Sequence, residues 1–255
     1  MGIVNVTPNS FSDGGRYADP AKAIAHGLAL RDEGADIVDV GGESTRPGAE
    51  PVPVEEELAR VIPVVEALAR EGVAVSVDTL KPDVMRAAID AGCAVVNDVS
   101  GFTAPGAIEA VAQAKVGVVV MHMQGTPRTM QHSPRYEDVV GEVAGFLATR
   151  ARALEVAGVG PGRIAIDPGF GFGKTLEHNQ ALFRGLPQLA GLGWPLLVGV
   201  SRKKMIGDLT GRAVESRAAG SVAAALLAVQ NGASMVRVHD VRETVDAINV
   251  WMGLK

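Results

Sequence analysis

The most informative segment of the sequence is Ile164-Ala-Ile-Asp-Pro-Gly-Phe-Gly-Phe-Gly-Lys-Thr175. A short apolar run of β type ends in a carboxylate, Asp167. A proline and alternating glycines form the turn that follows, and a helical pattern runs over residues 176–189. Continuous apolar runs of this kind are typical of parallel strands that are buried on both faces. The stretch therefore predicts a unit of strand, polar strand end, turn and helix.

The same unit recurs along the whole chain. Apolar runs occur at residues 2–6, 37–40, 74–78, 94–98, 118–123, 164–167, 196–200 and 235–238. Helical patterns lie at residues 20–33, 54–70, 82–91, 106–114, 136–157, 176–189 and 216–231, and a last helix begins near Asp240. Eight such units in a chain of 255 residues predict an α/β fold, a single (β/α)8 TIM barrel. An open, doubly wound sheet is the alternative.

We find no linker and no break in composition, so residues 1–255 are predicted to form one domain. Met1 directly precedes the first apolar run. That leaves no room for an N-terminal element that would close the bottom of the barrel, and we expect this element to be lacking.

Composition excludes several classes of protein. The chain is 47% hydrophobic and 21% charged, with a net charge of −5 and no basic block, which argues against nucleic acid or a membrane as a partner. Residues 1–6 lack the pattern of a signal peptide, and no run has the length of a membrane span. Cys93 is the only cysteine, so no intrachain disulfide can form. A cytoplasmic location fits these features.

The glycine-rich turn is not a phosphate-binding loop, although it resembles one at first sight. Only Phe170, Gly171 and Phe172 separate Gly169 from Gly173, whereas the P-loop has four residues before its Gly-Lys pair. Asp167 would also repel phosphate. A carboxylate at a strand end instead favours a ligand edge that is rich in N–H donors.

Polar residues follow nearly every predicted strand, at the barrel end where TIM-barrel enzymes place their active sites. Taken singly, such residues are as often helix caps and turn formers, and capping is the favoured interpretation for Asp240. Taken together, an amide, several acids, a lysine and an arginine indicate a binding site. The polar groups are Asn5, the Asp39–Gly48 segment, Asp78, Asn97, His122, Asp167, the Ser201–Lys204 segment, Arg237 and His239.

Five motifs, in order along the chain, resemble those of the dihydropteroate synthases. The two longest are Gly2-Ile-Val-Asn-Val-Thr-Pro-Asn-Ser-Phe-Ser-Asp-Gly-Gly15 and Asp39-Val-Gly-Gly-Glu-Ser-Thr-Arg-Pro-Gly48. The others are Asp167–Lys174, Ser201-Arg-Lys203 and Arg237-Val-His239. The family fold is a (β/α)8 barrel. The resemblance implies a transferase of folate biosynthesis that joins 4-aminobenzoate to 6-hydroxymethyl-7,8-dihydropterin diphosphate, releasing diphosphate.

The resemblance also implies roles for individual residues. Catalytic residues would be Arg237, Lys203, Asp78 and Asp167. The pterin site would comprise Asp78, Asn97, Met121, Asp167, Lys203 and Arg237. The 4-aminobenzoate site would comprise Thr45, Arg46, Pro47, Phe172, Ser201 and Lys203. Diphosphate would be bound by Asn5, Arg237 and His239.

A Mg²⁺ ion bridges the diphosphate in this family, and Asn5 and Asp13 match its protein ligands. The alternative for Asp13 is an ordinary Asp-Gly-Gly turn. The expected reaction is a dissociative displacement that needs no side-chain nucleophile. Sulfonamides, which mimic 4-aminobenzoate, compete in the family, and its members are usually homodimers that pair through the later helices.

One position departs from the family pattern. Lys204 stands where relatives often have a hydroxyl residue near the 4-aminobenzoate carboxylate, so that contact stays open. Three other functions remain as alternatives. They are a methyltetrahydrofolate:corrinoid methyltransferase, a non-catalytic pterin-binding paralogue, and a barrel enzyme acting on sugar phosphates.

Overall fold

The computed structural model describes residues 1–7 and 19–255, so Asp13 lies outside the described residues. Among the described residues, eight short strands form the centre of the molecule. They are β1 Gly2–Asn5, β2 Val38–Gly41, β3 Val75–Asp78, β4 Val95–Asp98, β5 Gly117–Met121, β6 Ile164–Asp167, β7 Leu197–Val198 and β8 Met235–Val236. All pairs are parallel, and β1 to β6 follow one another in sequence order.

Two backbone bridges join the β7–β8 pair to both edges of the six-stranded sheet. Ile166 bridges Leu196 on one side, and Gly2 bridges Val238 on the other. The N–H of Ile3 donates to the Val238 carbonyl at 3.1 Å, and the N–H of Val238 donates to the Met1 carbonyl at 2.9 Å. The strands therefore form a ring, as expected for a (β/α)8 barrel.

Helices connect the strands, and their positions agree with the predicted pattern except in the last third of the chain. The helix predicted at residues 176–189 is divided at Gly185, and a helix not predicted from the sequence follows β7. The helices are α1 Pro20–Asp32, α2 Val54–Arg70, α3 Pro82–Asp90, α4 Ala107–Ala112, α5 Val139–Val156, α6 Leu176–Arg184, α7 Leu186–Ala190, α8 Lys204–Thr210, α9 Ala218–Gln230 and α10 Val241–Gly253.

The core between helices and strands is aliphatic, and aromatic residues make up only 4% of the chain. Val4, Val40, Val77 and Val96 on successive strands are fully buried. Small residues set the helix spacing: a Cβ at Gly27 would lie 2.8 Å from Leu68, so α1 approaches α2 closely only because position 27 has no side chain. This packing fixes the strand ends, from which the polar side chains project.

Cys93 lies before β4 and is buried, and burial raises the pKa of its thiol to about 12. It is therefore an inert thiol rather than a nucleophile. Within the described ranges, no helix has the length and apolar character needed to span a membrane.

Candidate active site

Arg237 follows β8 and links two acids, Asp39 in β2 and Asp78 at the end of β3. Its Nε donates to Asp39 Oδ2 at 2.6 Å, and its Nη2 donates to Asp78 Oδ2 at 2.8 Å. Asn97 donates to the same Asp39 oxygen at 3.3 Å. Burial alone would lower the pKa of Arg237, but the charges of Asp39 and Asp78 raise it, so the guanidinium stays charged.

Three buried oxygens of this cluster have no hydrogen-bond partner in the part of the chain that the structure describes. They are Asp39 Oδ1, Asp78 Oδ1 and Asn97 Oδ1. Buried acceptors without donors are costly, and native proteins rarely keep them without a functional reason. The cluster is therefore suited to a ligand that brings N–H donors.

Asp167 and Lys203 are the second charged pair at this end of the barrel. Burial raises the pKa of Asp167, although the charge of Lys203 lowers it. Burial also lowers the pKa of Lys203 to about 8, opposed by the charge of Asp167. Asp78 shows the same effect, because burial raises its pKa to about 7 despite the nearby Arg237 charge. Such perturbed groups in one cleft indicate a functional site.

The glycine-rich loop lies against Lys203. The Lys203 ammonium donates to the Phe170 carbonyl and sits 4.4 Å from the centre of the half-buried Phe172 ring. The N–H of Gly169 donates to Asp167 Oδ1 at 2.7 Å, so the loop also fixes the carboxylate. One cationic side chain thus joins the end of β6 to the end of β7.

His239 and Ser201 form a neighbouring polar pair. Ser201 Oγ lies 3.0 Å from His239 Nδ1 and accepts from the His239 backbone N–H at 3.1 Å. Burial and the Arg237 charge lower the pKa of His239 to about 4, so the imidazole is neutral near pH 7.

Asp240 does not cap the last helix, and the capping interpretation was wrong. It occupies the N-cap position, but its carboxylate makes no hydrogen bond to the helix backbone. Both carboxylate oxygens instead accept from Arg202, one of them at 3.1 Å from Nε. The side chain is used for an ion pair that holds the loop after β7 to the loop after β8.

The loop after β2 carries Thr45, Arg46 and Pro47, of which Thr45 is half-buried and the other two are exposed. No hydrogen bond joins these three side chains to Arg237, Lys203 or Asp167 within the described ranges. Lys81 forms ion pairs with Glu43, in the same loop, and with Glu57 of α2, and these pairs fix the loop against the helix. Glu43 also accepts from the Val52 N–H at 3.1 Å.

Asn5 and Met121 end β1 and β5 at the same rim of the barrel. Strand register places Asn5 beside Gly41, which lies beside Asp78, and places Met121 beside Asp167. Lys204 points away from the site: its side chain is 86% exposed and pairs with Asp208 at 2.7 Å. The rim thus brings together the predicted pterin residues, whereas Lys204 belongs to the surface of α8.

Comparison with known proteins decides the family. The family described as pterin binding enzyme matches residues 1–239. The chain belongs to this family.

Its relatives are dihydropteroate synthases. The Neisseria meningitidis serogroup C enzyme is 54% identical over 259 residues, which cover 100% of this chain and 92% of that protein. The Xanthomonas albilineans dihydropteroate synthase solved with 4-aminobenzoic acid is 57% identical, with a TM-score of 0.94 over 100% of this chain and 92% of that one. Another structure of the same enzyme, with 7,8-dihydropteroate, is 54% identical, with a TM-score of 0.90 and the same coverage. The activity of this pterin-binding enzyme is that of a dihydropteroate synthase, a transferase.

Sequence reasoning missed Asp39 in this pterin-binding enzyme. It was quoted within a motif but assigned no role, yet it is fully buried and binds both Arg237 and Asn97. A signal was available, because Asp39 is a lone acid inside an otherwise apolar strand, and such a buried charge requires a partner.

Lys174 and His122 were also left without a role. Lys174 Nζ lies 3.0 Å from His122 Nδ1, and both side chains are buried. Burial and the charge of Lys203 lower the pKa of Lys174 to about 7, and burial and the charge of Lys174 lower that of His122 to about 3.

Proposed function

We propose that the barrel rim holds 6-hydroxymethyl-7,8-dihydropterin diphosphate and 4-aminobenzoate together and condenses them to 7,8-dihydropteroate and diphosphate. The observation that carries this proposal is the cluster of buried acceptors around Arg237. Asp39, Asp78 and Asn97 each keep an oxygen without a donor among the described residues. The pterin, with a guanidine-like edge and ring N–H groups, is a ligand of matching chemistry.

Pterin recognition in this proposal centres on Asp167. A carboxylate can accept two parallel hydrogen bonds from a guanidine-like edge, as it does from arginine. Asp167 Oδ1 already accepts from Gly169, which orients the group before the ligand arrives. Asp78 and Asn97 would contact the ring from the neighbouring strands, Met121 would form part of the wall, and Lys203 would donate to the pterin carbonyl.

Departure of diphosphate requires positive charge and N–H donors where negative charge develops. Arg237 provides a permanent cation, since the flanking acids keep it protonated. His239, neutral near pH 7, would donate through its ring N–H, and Asn5 through its side-chain amide. Ser201 holds the His239 ring from the other side.

Asn5 and Asp13 are proposed to hold Mg²⁺. Their amide and carboxylate oxygens are hard donors of the kind that Mg²⁺ prefers, and two protein ligands suit an ion that is otherwise bound by substrate phosphates and water. In residues 1–7 and 19–255, no group of three or more His, Cys, Asp or Glu could hold a metal. The ion would neutralise charge on the diphosphate when bound.

The 4-aminobenzoate pocket is proposed to lie between Phe172 and the loop that carries Thr45, Arg46 and Pro47, with Ser201 and Lys203 at its edge. Loss of diphosphate leaves a cationic pterin methylene carbon. The 4-aminobenzoate amine attacks this carbon, the new C–N bond replaces the broken C–O bond to diphosphate, and the amine nitrogen releases one proton to water. Catalysis would consist of positioning and leaving-group stabilisation, with no covalent enzyme intermediate.

The activity has a direct test. Folded protein incubated with the pterin diphosphate, labelled 4-aminobenzoate and Mg²⁺ should form labelled dihydropteroate, and a chelator should stop the reaction. Formation without added Mg²⁺ in the presence of chelator would contradict the metal assignment. Tight pterin binding without product would instead indicate a non-catalytic paralogue.

Lys204 is expected to be dispensable. Its ammonium is exposed and paired with Asp208 on the same helix, a contact worth only about 0.3–0.5 kcal/mol. Lys204→Met should leave the KM for 4-aminobenzoate within about twofold of the parent value, since an exposed charge contributes little. Steady-state kinetics at varied 4-aminobenzoate would measure it. A clear rise in KM would show that the ammonium reaches the substrate carboxylate.

We further propose a single domain over residues 1–255, a cytoplasmic location and a homodimer. Cys93, buried and unpaired, is compatible with a reducing compartment. For the dimer, α9 and α10 are candidates, because Leu227 and Val250 on them are 49% and 59% exposed. Apolar side chains left outside on adjacent helices favour pairing of two copies.

A further inference from the structure

Five consecutive backbone carbonyls of the glycine-rich loop, from Gly169 to Gly173, each accept from a side chain. A phosphate-binding loop has the opposite polarity, because it turns its N–H groups toward the ligand. The carbonyls of Gly169 and Phe172 accept from Lys174, that of Phe170 from Lys203, that of Gly171 from Gln131 and that of Gly173 from Tyr136.

The N–H groups of the loop are used inside the protein as well. Gly169 donates to Asp167 Oδ1, Gly171 donates to Asn179 Oδ1 at 2.8 Å, and Phe172 donates to the Gly169 carbonyl at 3.1 Å. The loop is therefore organised around cations rather than anions. This agrees with the sequence argument that excluded a phosphate-binding loop.

Lys174 lies at its centre, and its amino group is an ammonium below its pKa of about 7. Its Nζ donates to the Gly169 carbonyl at 2.9 Å and to the Phe172 carbonyl at 3.0 Å, and lies 3.0 Å from His122 Nδ1. An ammonium has three N–H donors, which match these three acceptors when His122 carries its proton on Nε2. The side chain is 3% exposed, so water cannot replace it easily.

The backbone of the loop has little freedom to adjust. Gly169 and Gly173 have φ of +67° and +64°, and a Cβ would lie 1.9 Å from the His122 carbonyl oxygen at the first and 2.6 Å from the Gln124 carbonyl oxygen at the second. His122 is itself held edge-on against Phe146, with ring centres 5.0 Å apart. The position of Phe172 therefore depends on Lys174 and on the end of β5.

We propose that Lys174 is a positioning residue for the second substrate: its buried ammonium fixes the carbonyls of Gly169 and Phe172 and thereby the ring that walls the 4-aminobenzoate pocket. This inference rests on the proposed function, because it uses the assignment of Phe172 to that pocket. The backbone of Asp167 is held by strand pairing in β6, and its carboxylate contacts the loop only at the Gly169 N–H, so pterin binding should depend less on Lys174.

Lys174→Met keeps the stem of the side chain up to the Cε position and removes the amino group. The KM for 4-aminobenzoate should rise by about tenfold or more, the scale of one lost hydrogen bond to a charged group, and the KM for the pterin diphosphate should rise less. Lys204→Met is the matched control, with the same substitution at an exposed site. Equal KM values for 4-aminobenzoate in Lys174→Met and the parent would overturn the inference, and so would equal increases for both substrates.

Two further measurements separate this inference from the proposed function and from misfolding. Tyr136→Phe removes only the hydroxyl that binds the Gly173 carbonyl, and should raise the same KM by a smaller factor. Hydrogen exchange of residues 169–173 should speed up in Lys174→Met without any substrate present. An inactive parent protein would refute the proposed function. An active parent whose loop exchanges no faster in Lys174→Met would refute the positioning role alone.

Discussion

Asp167→Asn should lower the affinity for the pterin diphosphate by about 100-fold or more. The buried NH₂ group of the asparagine would face the N–H donors of the pterin edge, so neither side would have an acceptor. The Gly169 N–H lies 2.7 Å from Asp167 Oδ1 and will keep the oxygen of the new amide on its own side. The NH₂ group is thereby turned toward the ligand. Calorimetric titration with the pterin diphosphate would measure the loss.

The matched control is Asp98→Asn. Asp98 is also a buried acid at a strand end, but its carboxylate accepts from Ser100 and Phe102 in its own turn. We expect Asp98→Asn to lower stability while leaving pterin affinity within about threefold, because the lost acceptor serves only its own turn, through the backbone N–H groups of Ser100 and Phe102 and the Ser100 hydroxyl. Pterin affinity in Asp167→Asn within about tenfold of the parent would show that Asp167 is a structural acid rather than a ligand group.

The fold could be predicted from the sequence because each unit repeats a strong local signal. Apolar runs such as Ile164–Asp167 lie in the strands they predicted. The break between α6 and α7 at Gly185 was not predicted, because the apolar pattern continues across this glycine into α7. The sequence analysis predicts no helix after β7, because the helix Lys204–Thr210 has only seven residues and contains Gly207, a poor helix former.

The site was predictable only where strand ends show single polar residues. Arg237 and Asp78 were found in this way, but their pairing was not, because 159 residues separate them in sequence. Asp39 lies in the polar segment 39–48 but has no predicted role of its own, because its partners Arg237 and Asn97 are distant in sequence. Lys174 resembles the lysine of a phosphate-binding loop in sequence. In the structure its partners are two backbone carbonyls and a histidine, which the sequence does not show.

Arg237→Met should destabilise the protein by about 3 kcal/mol, because removing one partner of a buried ion pair leaves uncompensated charge. The arginine bridges Asp39 and Asp78, whose side chains are 0% and 11% exposed. Without it, two carboxylates would face each other across the rim. Arg202→Met is the matched control: its pair with Asp240 is 37% exposed on the arginine side, and we expect a loss of about 1 kcal/mol or less.

The loss from Arg237→Met should also depend on pH in a defined direction. The pKa of Asp78 is about 7 in the folded protein against 3.8 as its ordinary value, so its burial lowers stability as pH rises between these values. Arg237 lowers that folded pKa, and its removal will raise it further. As the pH rises above 7, the variant therefore continues to lose stability, whereas the parent does not, because its Asp78 is already ionised there. Urea unfolding at about pH 6 and about pH 9 should show the larger deficit at the higher pH, and Asp39→Asn in the same chain should reduce it. An equal deficit at both pH values would mean that Arg237 contributes packing rather than charge to the rim.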